Sequence, residues 1–138
     1  MPDLDRFRTA QARDLDRAVA ELRAGRKVSH WMWYVFPQLA ALGRSATARH
    51  YGIADLAEAR AYLADAELAA NLHRAAGAML ANEGRPAEAV LGAIDALKLR
   101  SSATLFREAG GGEPFQHLLD AFYEGEPDPA TLGMLGRG

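Results

Sequence analysis

Aromatic and polar side chains are concentrated in residues 29–39, where the sequence reads Ser-His-Trp-Met-Trp-Tyr-Val-Phe-Pro-Gln-Leu. Both tryptophans of the chain stand in this segment, two positions apart. Aromatic rings supply rigid contact area, and polar groups at their edge orient a bound molecule. The segment therefore predicts an aromatic wall with polar groups beside it, formed by Trp31, Trp33, Tyr34, Phe36, Ser29, His30 and Gln38.

A second group of polar side chains lies in residues 98–104, and basic or hydroxyl residues also flank the aromatic segment. If the two regions meet in the fold, cations and hydroxyls surround an aromatic floor. Charged groups and short hydrogen bonds then hold an anion, while a tryptophan face stacks on a planar ring. We therefore predict a site for an anionic small molecule that is nucleotide-like or phosphorylated. Its predicted binding residues are Lys27, Ser29, His30, Trp31, Trp33, Gln38, Arg44, Ser45, Lys98, Arg100, Ser101 and Ser102.

Three other interpretations of the same residues stay open. In the first, Trp31 and Trp33 belong to the core and the basic residues form a solvated rim. In the second, the aromatic segment is a buried anchor for a partner protein or a second subunit. In the third, the protein is an enzyme that uses His30 as an acid–base group. Ser29 does not pair with that histidine, because neighbouring residues on a helix point about 100° apart. A structural role for His30 is therefore favoured.

Other parts of the chain give weaker functional signals. Ser45 follows a glycine and an arginine, and a helix that starts there presents backbone N–H groups that attract anions. Residues 110–112 are three glycines without the lysine of a phosphate-binding loop. His50, His73 and His117 lack metal-ligand spacing, so we predict no metal. No dinucleotide-binding fingerprint is present, and we predict no cofactor.

Composition narrows the class of protein. The chain has 138 residues, of which 49% are hydrophobic, and we predict one folded domain over residues 1–138. The formal net charge of −2 gives no overall basic field, so we predict no nucleic-acid partner. Cysteine is absent, and the start of the chain lacks the apolar run of a signal peptide. The longest apolar run, residues 31–36, is too short for a bilayer, so we expect a cytoplasmic protein with no membrane partner.

Helical periodicity and capping residues predict an all-α fold of about seven or eight short helices. The first helix runs from an N-cap at Asp3 to Gly25, and Ser29 caps a short helix that ends before Pro37. A strand is the alternative over the aromatic segment, but no good pairing strand is evident elsewhere, so we favour the helix. Later helices are predicted to start near capping or first-turn residues: Ser45, Asp55, Asp65, Pro86, Asp95, Pro114 and Asp128. Their predicted ends include Tyr51, Gly84, Leu91, and Phe106 or Glu108.

Several characteristic strings follow one another along the chain. The first three are Gly25-x-Lys27-x-Ser29-His30-Trp31-Met32-Trp33, Phe36-Pro37-Gln38-Leu39 and Leu42-Gly43-Arg44-Ser45. The next three are Tyr51-x-Ile53, Glu58-Ala59-x-Ala61-Tyr62-Leu63 and Asp95-x-x-Lys98-Leu99-x-Ser101-Ser102-x-Thr104-Leu105-Phe106. The last is Phe122-Tyr123-x-Gly125-x-x-Asp128-x-x-Thr131-Leu132. Together they cover nearly the whole chain, which resembles the bacterial family catalogued as domain of unknown function 1810.

This resemblance implies an all-helical protein of one domain, in a family without an established activity. Some members carry an automatic calpastatin label, to which we give little weight. The inhibitory segments of calpastatin are disordered, whereas this composition is that of a folded domain. The chain departs from the family pattern at Ala103, where methionine is common, and at Asp65-Ala66, where a His-Pro pair is common. Neither departure changes a predicted binding residue.

Overall fold

Helices are the regular elements of this computed structural model, which describes residues 3–137, and one β-bridge joins Leu39 to Ile53. Within that range the nine α-helices are α1 (Asp5–Ala24), α2 (Met32–Val35), α3 (Ala46–His50), α4 (Leu56–Ala64), α5 (Ala66–Leu80), α6 (Ala87–Leu91), α7 (Ala93–Glu108), α8 (Glu113–Tyr123) and α9 (Pro129–Met134). A 3-10 turn, Ala40–Leu42, precedes α3. The predicted all-α class is confirmed. There is one helix more than the seven or eight expected, and four of the helices, α2, α3, α6 and α9, are only one or two turns long.

Side-chain capping explains where several of these helices begin. Ser45, Asp55, Asp65 and Asp128 each accept a hydrogen bond from the backbone N–H three residues further on, at 2.9–3.0 Å. Gly25 ends α1 with a φ of 82°, a left-handed conformation that glycine adopts without strain. All five positions agree with the sequence prediction.

Several predicted helix boundaries are displaced. The cap of α1 lies one residue after Asp3. Ser29 caps no helix, because Glu21 holds its hydroxyl instead. α5 ends at Leu80 rather than at Gly84. α7 and α8 begin slightly earlier than predicted, each directly after a glycine with positive φ.

The core lies where α1 packs on α5 and α7 packs on α8. Phe7, Tyr62, Phe106 and Phe115 form a chain of contacting rings through it, with centroids 5.1–5.7 Å apart. All four rings are buried. The inner face of α7 is thus held by the core, and its outer face carries the exposed side chain of Ile94.

Backbone hydrogen bonds fix the segment between α1 and α3. The Lys27 N–H donates to a carbonyl oxygen of α6 at 2.8 Å. Further along, the Ile53 N–H donates to the Gln38 carbonyl and the Ala40 N–H donates to the Ile53 carbonyl, both at 2.8 Å. Gly52 is required at this crossing, because a Cβ there would lie 2.3 Å from the Ala40 Cα. The aromatic segment is therefore anchored at both of its ends.

Candidate functional site

Two adjoining open cavities lie along the outer face of α7. The first encloses about 440 Å³, and its lining includes Lys27, His30, Met32, Trp33, Asp95 and Lys98. The second encloses about 550 Å³, and its lining includes Gln38, Leu42, Arg44, Ser45, Ser101 and Asp128. Ile94 and Lys98 line both cavities, which therefore adjoin. We call the two cavities together the α7 groove.

The α7 groove brings together the two segments that were predicted to meet, residues 27–45 and 98–104. Its lining contains eight of the predicted binding residues: Lys27, His30, Trp33, Gln38, Arg44, Ser45, Lys98 and Ser101. The contact between the segments is direct, since the Lys98 ammonium lies 5.5 Å from the centroid of the Trp33 ring. A cation at this distance from a tryptophan ring is attracted by the ring's electrons.

The chain has only two lysines among its 16 Lys and Arg residues. Both of them contact the same carboxylate in the first cavity. The Lys27 Nζ lies 2.8 Å from Asp95 Oδ2, and the Lys98 Nζ lies 3.5 Å from Asp95 Oδ1. The Lys27 side chain is only 9% exposed, whereas that of Lys98 is 24% exposed and borders both cavities. One carboxylate compensates one of two positive charges. Lys98 is therefore the more accessible cation of the first cavity.

Of the four rings in the predicted aromatic wall, Trp33 alone lines the groove. Trp31, Tyr34 and Phe36 are at most 3% exposed and belong to the core. The Tyr34 hydroxyl donates to the carboxylate of Asp14 on α1, which satisfies its polar end inside the protein. The core interpretation therefore applies to Trp31, while Trp33 is partly exposed at the groove.

A carboxylate in the last turn of α1 organises the loop that precedes α2. Glu21 accepts hydrogen bonds from the backbone N–H groups of Val28 at 2.7 Å and Ser29 at 2.9 Å. It also accepts from the Ser29 hydroxyl at 2.7 Å and from the Trp31 indole N–H at 2.9 Å. Burial raises the pKa of Glu21, but the hydrogen bonds to its charged form outweigh burial and bring the pKa to about 2.

The second cavity has polar groups on its floor that are already engaged within the protein. Asp128 accepts hydrogen bonds from the Ser101 hydroxyl at 3.1 Å and from the Thr131 hydroxyl at 2.6 Å. The Ser45 hydroxyl caps α3, and this five-residue helix is too short to attract an anion strongly through its dipole. Arg44, which is exposed, adds a second cation to the lining.

Four predicted binding residues lie outside the groove lining. Ser29 and Trp31 are held by Glu21, as described above. The Arg100 guanidinium donates to a backbone carbonyl in the loop before α9 at 2.9 Å. Ser102 is buried, because it lies about 100° around α7 from Ser101 and so faces the protein interior.

Two carboxylates that organise the site are absent from the predicted binding residues. Asp95 was interpreted as a helix start, and Glu21 was not singled out. The spacing of Asp95 and Lys98, three residues apart on one helix, is a signal for their ion pair. Glu21 stands in the last turn of a helix, where the helix dipole disfavours a negative charge unless specific partners hold it. No pattern in the sequence indicated that Lys27 lies close to Asp95.

His30 lies exposed at the rim of the first cavity, and its ring makes no hydrogen bond or ion pair with residues 3–137. In that same part of the chain, no group of three or more His, Cys, Asp and Glu side chains is placed to hold a metal ion. None of the helices described combines the length and apolar character needed to cross a bilayer.

These observations define a small all-helical protein with an open groove that contains both of its lysines. The chain belongs to the family described as "Protein of unknown function (DUF1810)", whose model matches residues 1–135. Its fold is similar to the crystal structure of the conserved hypothetical protein Rv1873 from Mycobacterium tuberculosis, with a TM-score of 0.94 and 47% sequence identity. That similarity covers 97% of this chain and 96% of the other. A search of curated proteins gives no match. The resemblance drawn from the sequence strings is confirmed.

Proposed function

We propose that this protein binds an anionic small molecule in the α7 groove, with Lys98 as the main cation. The position of Lys98 carries the proposal. Its ammonium borders both cavities, and it shares the carboxylate of Asp95 with Lys27. Water screens a mostly buried charge less than an exposed one, so the part of the Lys98 charge that Asp95 leaves uncompensated attracts an anion.

The walls of the groove suit a ligand that also has an apolar or planar part. Met32, Trp33 and Ile94 supply apolar surface in the first cavity, and Leu42 does so in the second. Arg44 adds hydrogen-bond donors. Each cavity falls within the range of roughly 300–1,000 Å³ that is typical of small-molecule sites. Nucleotide-like and phosphorylated molecules belong to this class, and so do carboxylic acids with an apolar body.

A protein-interaction role is the second candidate, and one observation favours it. Ile94 and Leu97, on the outer face of α7, are 72% and 67% exposed. Large apolar side chains that stand exposed together are typical of protein interfaces. A partner would lose affinity when both are replaced by serine, whereas a small anion would lose affinity when Lys98 is replaced. The acid–base interpretation of His30 has no comparable support, because its ring has no carboxylate partner in residues 3–137.

Lys98→Met tests the proposal. Methionine keeps an unbranched apolar stem but removes the ammonium and its charge, so we expect the dissociation constant of an anionic ligand to rise at least tenfold. The measurement is a thermal-shift screen with nucleotides, sugar phosphates and aryl or alkyl carboxylates, followed by titration of any compound that stabilises the protein. A ligand at 100 times its dissociation constant stabilises the folded state by about 2.7 kcal/mol, which a screen detects.

Arg60→Met is the matched control, because it also removes one positive charge, from an exposed position on α4. We expect it to leave the affinity unchanged. The proposal is wrong if no anionic compound stabilises the protein. It is also wrong if Lys98→Met and Arg60→Met weaken binding equally, since the effect would then reflect overall charge.

A further inference from the structure

The positive and negative charges of the side chains that line the α7 groove nearly cancel. Three are positive, Lys27, Lys98 and Arg44, and two are negative, Asp95 and Asp128. Lys27 is committed to Asp95 at 2.8 Å, and Asp128 is held by hydroxyl groups of the protein. The groove therefore has a surplus of one positive charge.

Asp95 determines how much of this positive charge is available to a ligand. Its two oxygens contact two different ammonium groups, Oδ2 that of Lys27 and Oδ1 that of Lys98. Its side chain is mostly buried, so water screens its charge incompletely. An anion that reaches Lys98 comes close to this carboxylate, whose negative charge opposes part of the attraction to the ammonium. The repulsion grows with each further negative charge on the ligand.

The side chains of the first cavity other than its ion pairs are mostly apolar. They are those of Met32, Trp33, Leu91, Ala93 and Ile94, with His30 at the rim and Gly92 before the start of α7. Apolar groups offer no hydrogen bonds to a second anionic oxygen, so transferring one there costs its hydration. A single carboxylate can instead rest on the Lys98 ammonium while its apolar body contacts these side chains.

From this charge balance we infer that the α7 groove selects singly charged acids, meaning carboxylates on an apolar or aromatic body, and that Asp95 is the residue that rejects multiply charged phosphates. This inference rests on the proposed function and narrows its ligand class. It makes Asp95 a specificity-determining residue.

Three probes of nearly the same shape test the inference: phenylacetate, phenyl phosphate and phenylacetamide. At pH 8 the first carries one negative charge, the second carries close to two because its second pKa lies near 6, and the third is neutral. Affinities are measured by NMR titration of the wild-type protein and of Asp95→Asn. We expect the wild type to bind phenylacetate at least tenfold more tightly than phenyl phosphate. Asp95→Asn should bind phenyl phosphate at least tenfold more tightly than the wild type does.

Asp16→Asn is the matched control, because it removes one negative charge from an almost fully exposed side chain on α1. It should leave the ratio of the two affinities unchanged. The inference is overturned, while the proposed function stands, if the wild type binds phenyl phosphate as tightly as phenylacetate or if Asp95→Asn leaves the ratio unaltered. If Asp95→Asn does not fold, the ratio of the phenylacetate and phenyl phosphate affinities of the wild type is sufficient to test the inference. If neither acid binds the wild type better than phenylacetamide does, the inference is overturned; the proposed function fails as well if no anionic compound of the thermal-shift screen stabilises the protein.

Discussion

Trp31→Ala should lower the free energy of unfolding by about 3–5 kcal/mol, the range for removing a buried aromatic side chain. Trp31 has no exposed surface, and its indole N–H donates to Glu21 at 2.9 Å. Trp33→Ala should cost less, roughly 1–2 kcal/mol, because the Trp33 ring is partly exposed and loses less apolar burial. Urea denaturation of the two variants measures both values.

Trp31→Phe serves as the control for this comparison. Phenylalanine keeps an aromatic ring but cannot donate to Glu21, so we expect a loss intermediate between zero and that of Trp31→Ala. Equal losses for Trp31→Ala and Trp33→Ala would contradict the separate positions of the two rings. A larger loss for Trp33→Ala would mean that Trp33, and not Trp31, is the core tryptophan.

Glu21→Gln should lower the free energy of unfolding by about 2 kcal/mol at pH 7. The carboxylate of Glu21 accepts four hydrogen bonds, and glutamine has only one oxygen and no charge with which to accept them. A drop in pKa from 4.5 to about 2 corresponds to roughly 3 kcal/mol at 1.36 kcal/mol per unit, reduced here because the group is partly in contact with water.

The same substitution should change how stability depends on pH. Because folding lowers the pKa of Glu21, its contribution is complete above pH 4.5 and is lost as the pH falls towards 2. The wild type should therefore lose more stability than Glu21→Gln over that interval, and the two should converge near its lower end. Urea denaturation at several pH values measures this. Parallel stability curves for the two proteins would contradict the role assigned to Glu21.

Local sequence signals predicted the helices well, because capping and periodicity depend on residues close together in the chain. Ser45, Asp55, Asp65 and Asp128 act as caps as predicted, and Gly25 ends α1. The displaced boundaries occur where a tertiary contact overrides a local preference. Ser29 is the clearest case, since its hydroxyl is used by Glu21 on another element.

The candidate site was predicted in part. The meeting of residues 27–45 with α7 was anticipated from the polar residues that both segments carry among apolar ones. The sequence did not indicate which side of each helix faces the groove, so Trp31 and Ser102, which face the interior, were placed with Trp33 and Ser101, which line the groove. The sequence also did not indicate that Asp95 forms ion pairs with both lysines, because Lys27 is far from Asp95 along the chain.

The two tryptophan indole N–H signals in an ¹H–¹⁵N NMR spectrum offer the most direct test of anion binding in the α7 groove. During titration with phenylacetate, the Trp33 signal should shift to saturation, since its ring borders the cavity that contains Lys98. The Trp31 signal should move little, because its N–H is held by Glu21. Both should stay unchanged in Lys98→Met. A Trp33 signal that does not move up to the solubility limit of phenylacetate, or that moves equally in Lys98→Met, would contradict the account.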